Sequence, residues 1–141
     1  MEVKVVETNE ALEDAFYVRK KVFVEEQQVP EEEEIDDLEE EATHVILYDE
    51  TLPAGAGRLR IVDGYGKMER ICILPEYRGR GAGNIIMEKL EDVAKEKGAS
   101  KFKLSAQTHA VSFYEKLGYK VISEEYLDAG IPHVTMVKDH L

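Results

Sequence analysis

Apolar and polar residues alternate at the start of the chain, with Val3 and Val5 set between Glu2, Lys4 and Glu7, so the pattern predicts a strand over Glu2–Glu7. Asn9 suits the cap of a helix whose apolar residues Leu12, Ala15, Phe16, Val22 and Phe23 recur three, four and seven positions apart. Pro30 and the acids after it break that pattern, and Glu31–Glu41 reads as a short solvated helix or a loop. Three strands follow, His44–Tyr48, Ala54–Val62 and Lys67–Leu74, with turn chemistry at Asp49–Pro53 and at Asp63-Gly64-Tyr65-Gly66. Such short connections make an antiparallel meander.

Pro75–Gly83 is rich in Gly and Arg and leads into a helix over Asn84–Lys97, with Ile86, Leu90, Val93 and Ala94 on one face and Gly98 closing it. Lys101–Ser105 reads as a strand. His109–Leu117 reads as a short helix with Ala110, Phe113 and Leu117 inward and Gly118 just past its end. Tyr119–Glu125 and Pro132–Lys138 complete the pattern as a strand pair joined through Asp128-Ala129-Gly130. The order β-α-βββ-α-β-α-ββ is that of an α/β (α+β) fold on a mixed sheet.

Composition narrows the function classes. At 141 residues and 43% hydrophobic, the chain is expected to form a single domain over 1–141. No apolar run reaches the roughly 18 residues of a membrane span, and the first residues lack a signal-peptide pattern. With one cysteine, Cys72, this predicts a cytoplasmic protein without disulfides. Cys72, His44, His109, His133 and His140 have no metal-ligand spacing, so no metal is expected. A net charge of −12 argues against nucleic-acid binding. That charge is concentrated: Val22–Gly57 holds 13 acids and no Lys or Arg, while the rest carries 17 acids and 18 bases.

The sharpest chemical feature is Leu74-Pro75-Glu76-Tyr77-Arg78-Gly79-Arg80-Gly81-Ala82-Gly83 between a strand and a helix. Glycines let the backbone turn tightly and present successive N–H groups beside the positive end of the helix, and Arg78 and Arg80 add charge, as a diphosphate requires. The string lacks the Lys-Ser/Thr pair of a nucleotide P-loop. The dinucleotide pattern G-x-G-x-x-G started at Gly79 would need glycine where Asn84 stands. Arg78, Gly81 and Gly83 fit R/Q-x-x-G-x-G/A instead.

With the preceding Glu69-Arg70-Ile71-Cys72-Ile73-Leu74-Pro75 and the later Ser112-Phe113-Tyr114-Glu115-Lys116-Leu117-Gly118-Tyr119, this string resembles the acyl-CoA pyrophosphate motif of the GNAT N-acetyltransferase superfamily. The stretch from Val18-Arg19 through Val22–Pro30 to Glu34-Ile35-Asp36, and the tail Asp128–His133, resemble its bacterial ElaA/YjcF-like subgroup. The resemblance implies a splayed, mostly antiparallel sheet flanked by helices. It also implies transfer of an acetyl group from acetyl-CoA, as co-substrate, to a small-molecule or peptide amine within a ternary complex. It leaves room for a homodimer. An acyl-CoA-binding module without catalysis is the alternative, and nucleotide binding at the same loop a third reading.

Site residues follow from the same resemblance. Gly79, Gly81, Ala82 and Gly83 with Arg78 and Arg80 would hold the diphosphate. Ile71, Cys72 and Ile73 would offer backbone groups to pantetheine in the manner of an added strand, and Gln107 would bond a pantetheine amide. An amine of pKa about 10.4 is almost wholly protonated at pH 7 and needs a base. Glu69 heads the splayed strand and is the first candidate, with Glu26 the second. Tyr114 stands where the family places its general acid. Because a phenol of pKa about 10 is a weaker acid than a thiol of about 8.5, it would chiefly hydrogen-bond the departing thiolate. Cys72, flanked by isoleucines, reads as a buried strand residue rather than a nucleophile. His133 is open to both a substrate-side and a structural reading. The acidic segment reads as a solvated face or as a rim that attracts a cationic amine.

Overall fold

The computed structural model describes residues 1–139; His140 and Leu141, the former among the histidines weighed above, lie outside the described residues. Eight strands form one open sheet: β1 (Glu2–Val5), β2 (Thr43–Asp49), β3 (Leu52–Val62), β4 (Tyr65–Ile73), β5 (Lys101–Gln107), β6 (Lys120–Val121), β7 (Tyr126–Asp128) and β8 (Ile131–Asp139). The order is β1-β2-β3-β4-β5-β8-β6, with β7 also on β8. Every pairing is antiparallel except β4 with β5. The fold is therefore mixed α/β, with a mostly antiparallel sheet and helices on its faces, as the order of elements predicts.

Helix α3 (Ala82–Glu96) lies close against one face because three glycines make room for it. A Cβ on Gly55 would stand 2.8 Å from Ile86, one on Gly57 3.0 Å from Leu90, and one on Gly66 2.8 Å from Ala94. Ile86, Leu90 and Ala94 are fully buried there. Residues of β3 alternate between faces, so Ala56 and Arg58 look the other way, where α1 (Asn9–Arg19) packs with Ala15 and Val18 buried. Thr8 rather than Asn9 caps α1, its Oγ1 accepting from the Ala11 N–H at 3.1 Å. Past Arg19 the helix widens into a π-helical stretch, Lys20–Glu26, which carries the chain three residues beyond the apolar pattern that ends at Phe23.

The closing strand pair departs from expectation. The Ser123 hydroxyl accepts the Thr135 N–H at 2.8 Å, replacing a ladder partner, so Tyr119–Glu125 is reduced to the two-residue β6. The hairpin is instead β7–β8, turned through Ala129 and Gly130, both at positive φ.

The acidic segment folds down onto the sheet. Glu31–Glu34 form a single helical turn, α2, and Glu34 is 1% exposed. Arg19 donates from Nε to Glu34 Oε1 at 2.7 Å and from both terminal nitrogens to Glu39 at 2.9 and 2.7 Å. Arg58 pairs with Asp36 at 2.8 Å, Glu39 at 3.0 Å and Glu69 at 2.9 Å. Arg60 joins Glu69 at 2.8 Å, and Arg70 reaches Asp36 at 3.3 Å. Four arginines thus meet four carboxylates, with Arg19, Arg58 and Glu34 almost wholly out of water.

Removing one partner of a buried pair strands the other, at about 3–5 kcal/mol. Arg19→Met should lower stability by that order in urea unfolding at pH 7. The arginines hold the carboxyls of Asp36 and Glu69 down at about 2 against ordinary values of 3.8 and 4.5. Depressed folded-state values stabilise fully above the ordinary range and lose that contribution as pH falls through them. The urea midpoint of the unaltered protein should accordingly fall as pH drops from 4.5 toward 2, while Arg19→Met, already lacking part of the network, shows a shallower decline.

Candidate active site

The site begins with a defect in the sheet. Ala56 pairs with Cys72 and Arg58 with Glu69, so Gly57 alone opposes both Arg70 and Ile71. That two-against-one count is a β-bulge, and Arg70 adopts φ +57 to make it. Upstream of the bulge, Tyr65–Met68 pair in parallel with Lys101–Leu104, and there the β4–β5 ladder stops. Each strand then keeps only its outer partner: β4 stays on β3 as far as Ile73, and β5 stays on β8 as far as Gln107. A gap opens between them.

Backbone alternation determines what faces that gap. The Leu74 N–H donates to Ala54 O at 2.9 Å, toward β3, so Cys72 points to β3 as well and Ile71 and Ile73 present their backbone groups to the opening. Arg78 confirms the direction by donating from Nε to Ile73 O at 3.0 Å. Ile71 and Ile73, expected to offer backbone groups to pantetheine, thus face the gap. Cys72 does not: its backbone belongs to the β3 ladder, and its thiol lies within 4.0 Å of Ala56 O in the core. Burial pushes that thiol up to about 12, so it remains protonated and is no nucleophile.

The gap leads to the N-terminus of α3. Gly79 and Gly81 hold φ of +77 and +79, and Gly81 is the cap residue, with no side chain taking the first helical N–H groups. A Cβ on either glycine would meet nothing within 4 Å, so the space above the loop is open. Gly83 serves another purpose. A Cβ there would lie 2.9 Å from Phe113 Cζ, so this glycine lets α4 (Val111–Lys116) approach α3. Arg80 stacks over Tyr77, its guanidinium carbon 5.5 Å from the ring centre.

Tyr114 comes from α4, and its ring is buried where Ala110, Phe113 and Leu117, expected to face inward, are only half-buried. Phe113 and Tyr119 contact the ring edge-on, at centroid distances of 5.0 and 6.1 Å. Burial, with the Cys72 thiol nearby, raises its phenol above the ordinary range. The hydroxyl has no hydrogen-bond partner among the described residues and is not a sealed, buried orphan. It is a protonated donor with a free direction.

Neither carboxylate base candidate is free. Glu69 receives Arg58 and Arg60 on both sides of its carboxylate and is held at about 2, because two guanidinium groups outweigh its desolvation. A carboxylate so stabilised is a poor proton acceptor near neutrality, which counts against Glu69 as the base. Glu26 forms a two-pronged pair with Arg78 at 2.7 and 2.6 Å, and that guanidinium lowers its pKa. The neighbouring Gln27 exchanges amide hydrogen bonds with Gln107 at 3.2 and 2.8 Å, and Gln107 also meets His109 at 2.7 Å. The end of the π-helical stretch therefore touches both banks of the gap, through Arg78 on one side and Gln107 on the other. Pattern reading missed this straddling contact; the acids and amides of Glu25-Glu26-Gln27-Gln28 mark a polar helix end but not its destination. Among the described residues no cluster of His, Cys, Asp and Glu could hold a metal ion, and no helix is long and apolar enough to cross a membrane.

The splayed parallel pair thus opens onto a glycine-bearing helix N-terminus, and the family is given by likeness to known proteins. Residues 7–140 match the model of the acetyltransferase (GNAT) domain, and the chain belongs to that family of N-acetyltransferases. It is 58% identical over 140 residues to the uncharacterized N-acetyltransferase YjcF of Bacillus subtilis, covering 99% of this chain and 100% of that one. A crystal structure from Lactobacillus plantarum, described as a candidate N-acetyltransferase, superposes with a TM-score of 0.92 at 28% identity, covering 99% and 98% of the two chains. Escherichia coli ElaA superposes with a TM-score of 0.82 over 98% and 99%, at 21% identity a likeness of fold.

The two roles of the loop glycines separate experimentally. Gly81→Val introduces a β-branched side chain at positive φ in the open space above the loop, so CoA affinity measured by calorimetry should fall at least about tenfold with the fold retained. Gly83→Val collides with Phe113 and should instead lower the melting temperature by several degrees. Equal CoA affinity in a folded Gly81→Val protein would remove the loop from the site.

Proposed function

We propose that this protein transfers an acetyl group from acetyl-CoA to an amine by direct attack in a ternary complex. The observation that carries the reading is the gap between β4 and β5, where backbone groups of Ile71 and Ile73 turn away from β3 and lead to the uncapped N-terminus of α3. Family membership supports acyl-CoA as the donor. Pantetheine would bind as an added strand along β4. The diphosphate would meet the N–H groups of the Gly79–Gly83 loop, and Arg78 and Arg80 would supply positive charge. A backbone N–H of the bulged strand is suited to polarise the thioester carbonyl. Tyr114 would then donate its free hydroxyl hydrogen to the departing sulfur. Because the phenol is raised, full proton transfer is unfavourable, and its contribution is the hydrogen bond itself.

The acceptor is a small-molecule or peptide amine. Support for a cationic one is narrower than the 13 acids suggest, because Glu34, Asp36 and Glu39 are consumed by arginines inside the fold. The exposed acids of the segment that no base pairs with, among them Glu32, Glu33, Asp37 and Glu40, carry the attraction that is left.

Incubation with acetyl-CoA and a panel of spermidine, glucosamine, glycinamide and a lysine peptide should release free thiol and yield acetylated amine. CoA binding without turnover on any amine would favour the non-catalytic alternative. In the same assay Tyr114→Phe should lower kcat by ten- to a thousandfold, on the order expected of one catalytic hydrogen bond, with KM for acetyl-CoA little changed. An unchanged kcat would return Tyr114 to packing.

A further inference from the structure

The open face of β5 and β8 carries a polar constellation that the site described above does not use. Residues paired across an antiparallel ladder share a face, so Ser105 with Thr135 and Gln107 with His133 project together from β5 and β8. Tyr126 of β7, paired with His133, stacks on its imidazole at a centroid distance of 6.2 Å and an interplanar angle of 20°. The Tyr126 hydroxyl is fixed by both Ser105 Oγ and Thr135 Oγ1. Lys67 lies opposite Lys103, so Glu69 and Ser105 stand on this same face at the two banks of the gap.

His133 Nδ1 lies 2.6 Å from Ile131 O. A carbonyl oxygen can only accept, so Nδ1 carries the hydrogen and the neutral ring keeps its lone pair on Nε2. Nε2 has no hydrogen-bond partner among the described residues and is not a sealed, buried orphan. The ring is thus held in one tautomer and one orientation, with its basic nitrogen available, beside Gln107 at the mouth of the gap. The titratable groups brought to it are Tyr126 from β7 and His109, which reaches the same Gln107; Ser105, Gln107 and Thr135 carry no charge.

We infer that His133 Nε2 is the base that receives the proton of the acceptor amine, with Tyr126 as its positioning residue. The inference rests on the acetyl-transfer reading. In the step, an ammonium proton passes to Nε2, and the freed nitrogen lone pair attacks the thioester carbonyl carbon. The C–N bond forms and the C–S bond breaks, leaving its electron pair on sulfur. The second amine proton neutralises that sulfur, and His133 returns its own proton to water. Glu69, bound by two arginines, shapes the opposite bank without taking the proton.

His133→Asn tests the role selectively. Its amide can still donate to Ile131 O, so a structural role survives, while the Nε2 lone pair is lost. With the best amine of the panel, kcat should fall about a hundredfold or more, with CoA affinity and melting temperature preserved. The acid limb of the kcat/KM profile should disappear. Tyr126→Phe should lower kcat less and leave that limb in place. A kcat within threefold of the parent, or a persisting acid limb in His133→Asn, would overturn the assignment. Nitrogen-15 NMR of the imidazole in the CoA-bound protein supplies a readout that needs no acceptor. A hydrogen on Nδ1 is expected, and one on Nε2 overturns the inference. Failure of every amine with CoA still bound would instead count against acetyl transfer itself.

Discussion

The bulge at Arg70 is the constraint on which the site depends. A non-glycine residue at φ +57 costs on the order of 1–3 kcal/mol and persists only where its surroundings enforce it. Here the enforcement is electrostatic. Arg70 Nε donates to Glu34 O at 3.2 Å and its terminal nitrogen meets Asp36, so the acidic segment grips the side chain of the strained residue. Arg19 and Arg58 in turn hold that segment against the sheet. Without the bulge, β4 would continue alongside β5, the ladder would close past Met68, and no backbone groups of Ile71 and Ile73 would face an open gap.

This arrangement explains why so many acids do so little acid–base chemistry. Glu34, Asp36, Glu39 and Glu69 are neutralised by Arg19, Arg58, Arg60 and Arg70, and the depressed values of Asp36 and Glu69 record how tightly. The charges build the floor beneath the gap. The groups left without an ionic partner are the Tyr114 hydroxyl, the backbone of the bulged strand and the imidazole of His133, and the proposed chemistry is placed on them. The π-helical stretch and the Gln27 that follows it tie these parts together by reaching Arg78 at the glycine loop and Gln107 at the end of β5.

Much of the molecule was legible along the chain. Period-two and period-3.6 patterns mark the meander, α1 and α3, because each buries one face. The loop from Arg78 to Gly83 is legible because glycines at alternate positions let a backbone turn tightly and expose its N–H groups. Its glycines are not equivalent, however. Gly79 and Gly81 are required by positive φ and open space, a local matter, whereas Gly83 is required by the Phe113 ring from another helix.

Tertiary structure decided the rest. The bulge falls on an arginine, so no turn residue announces it, and only the pairing of Gly57 with two residues of β4 reveals it. The segment from Val22 to Gly57 contains no basic residue, yet its neutralising arginines come from just before it at Arg19, just after it at Arg58 and Arg60, and from the next strand at Arg70. Net charge along a chain is local, whereas ion pairing is set by what the sheet brings together. For the same reason sequence could nominate Glu69 as a base but could not show the two guanidinium groups that occupy it. Residue types and spacing determined the fold and the ligand-binding loop; the registers of β3, β4, β5 and β8 decided which side chains are spent on holding the gap open and which remain free to react.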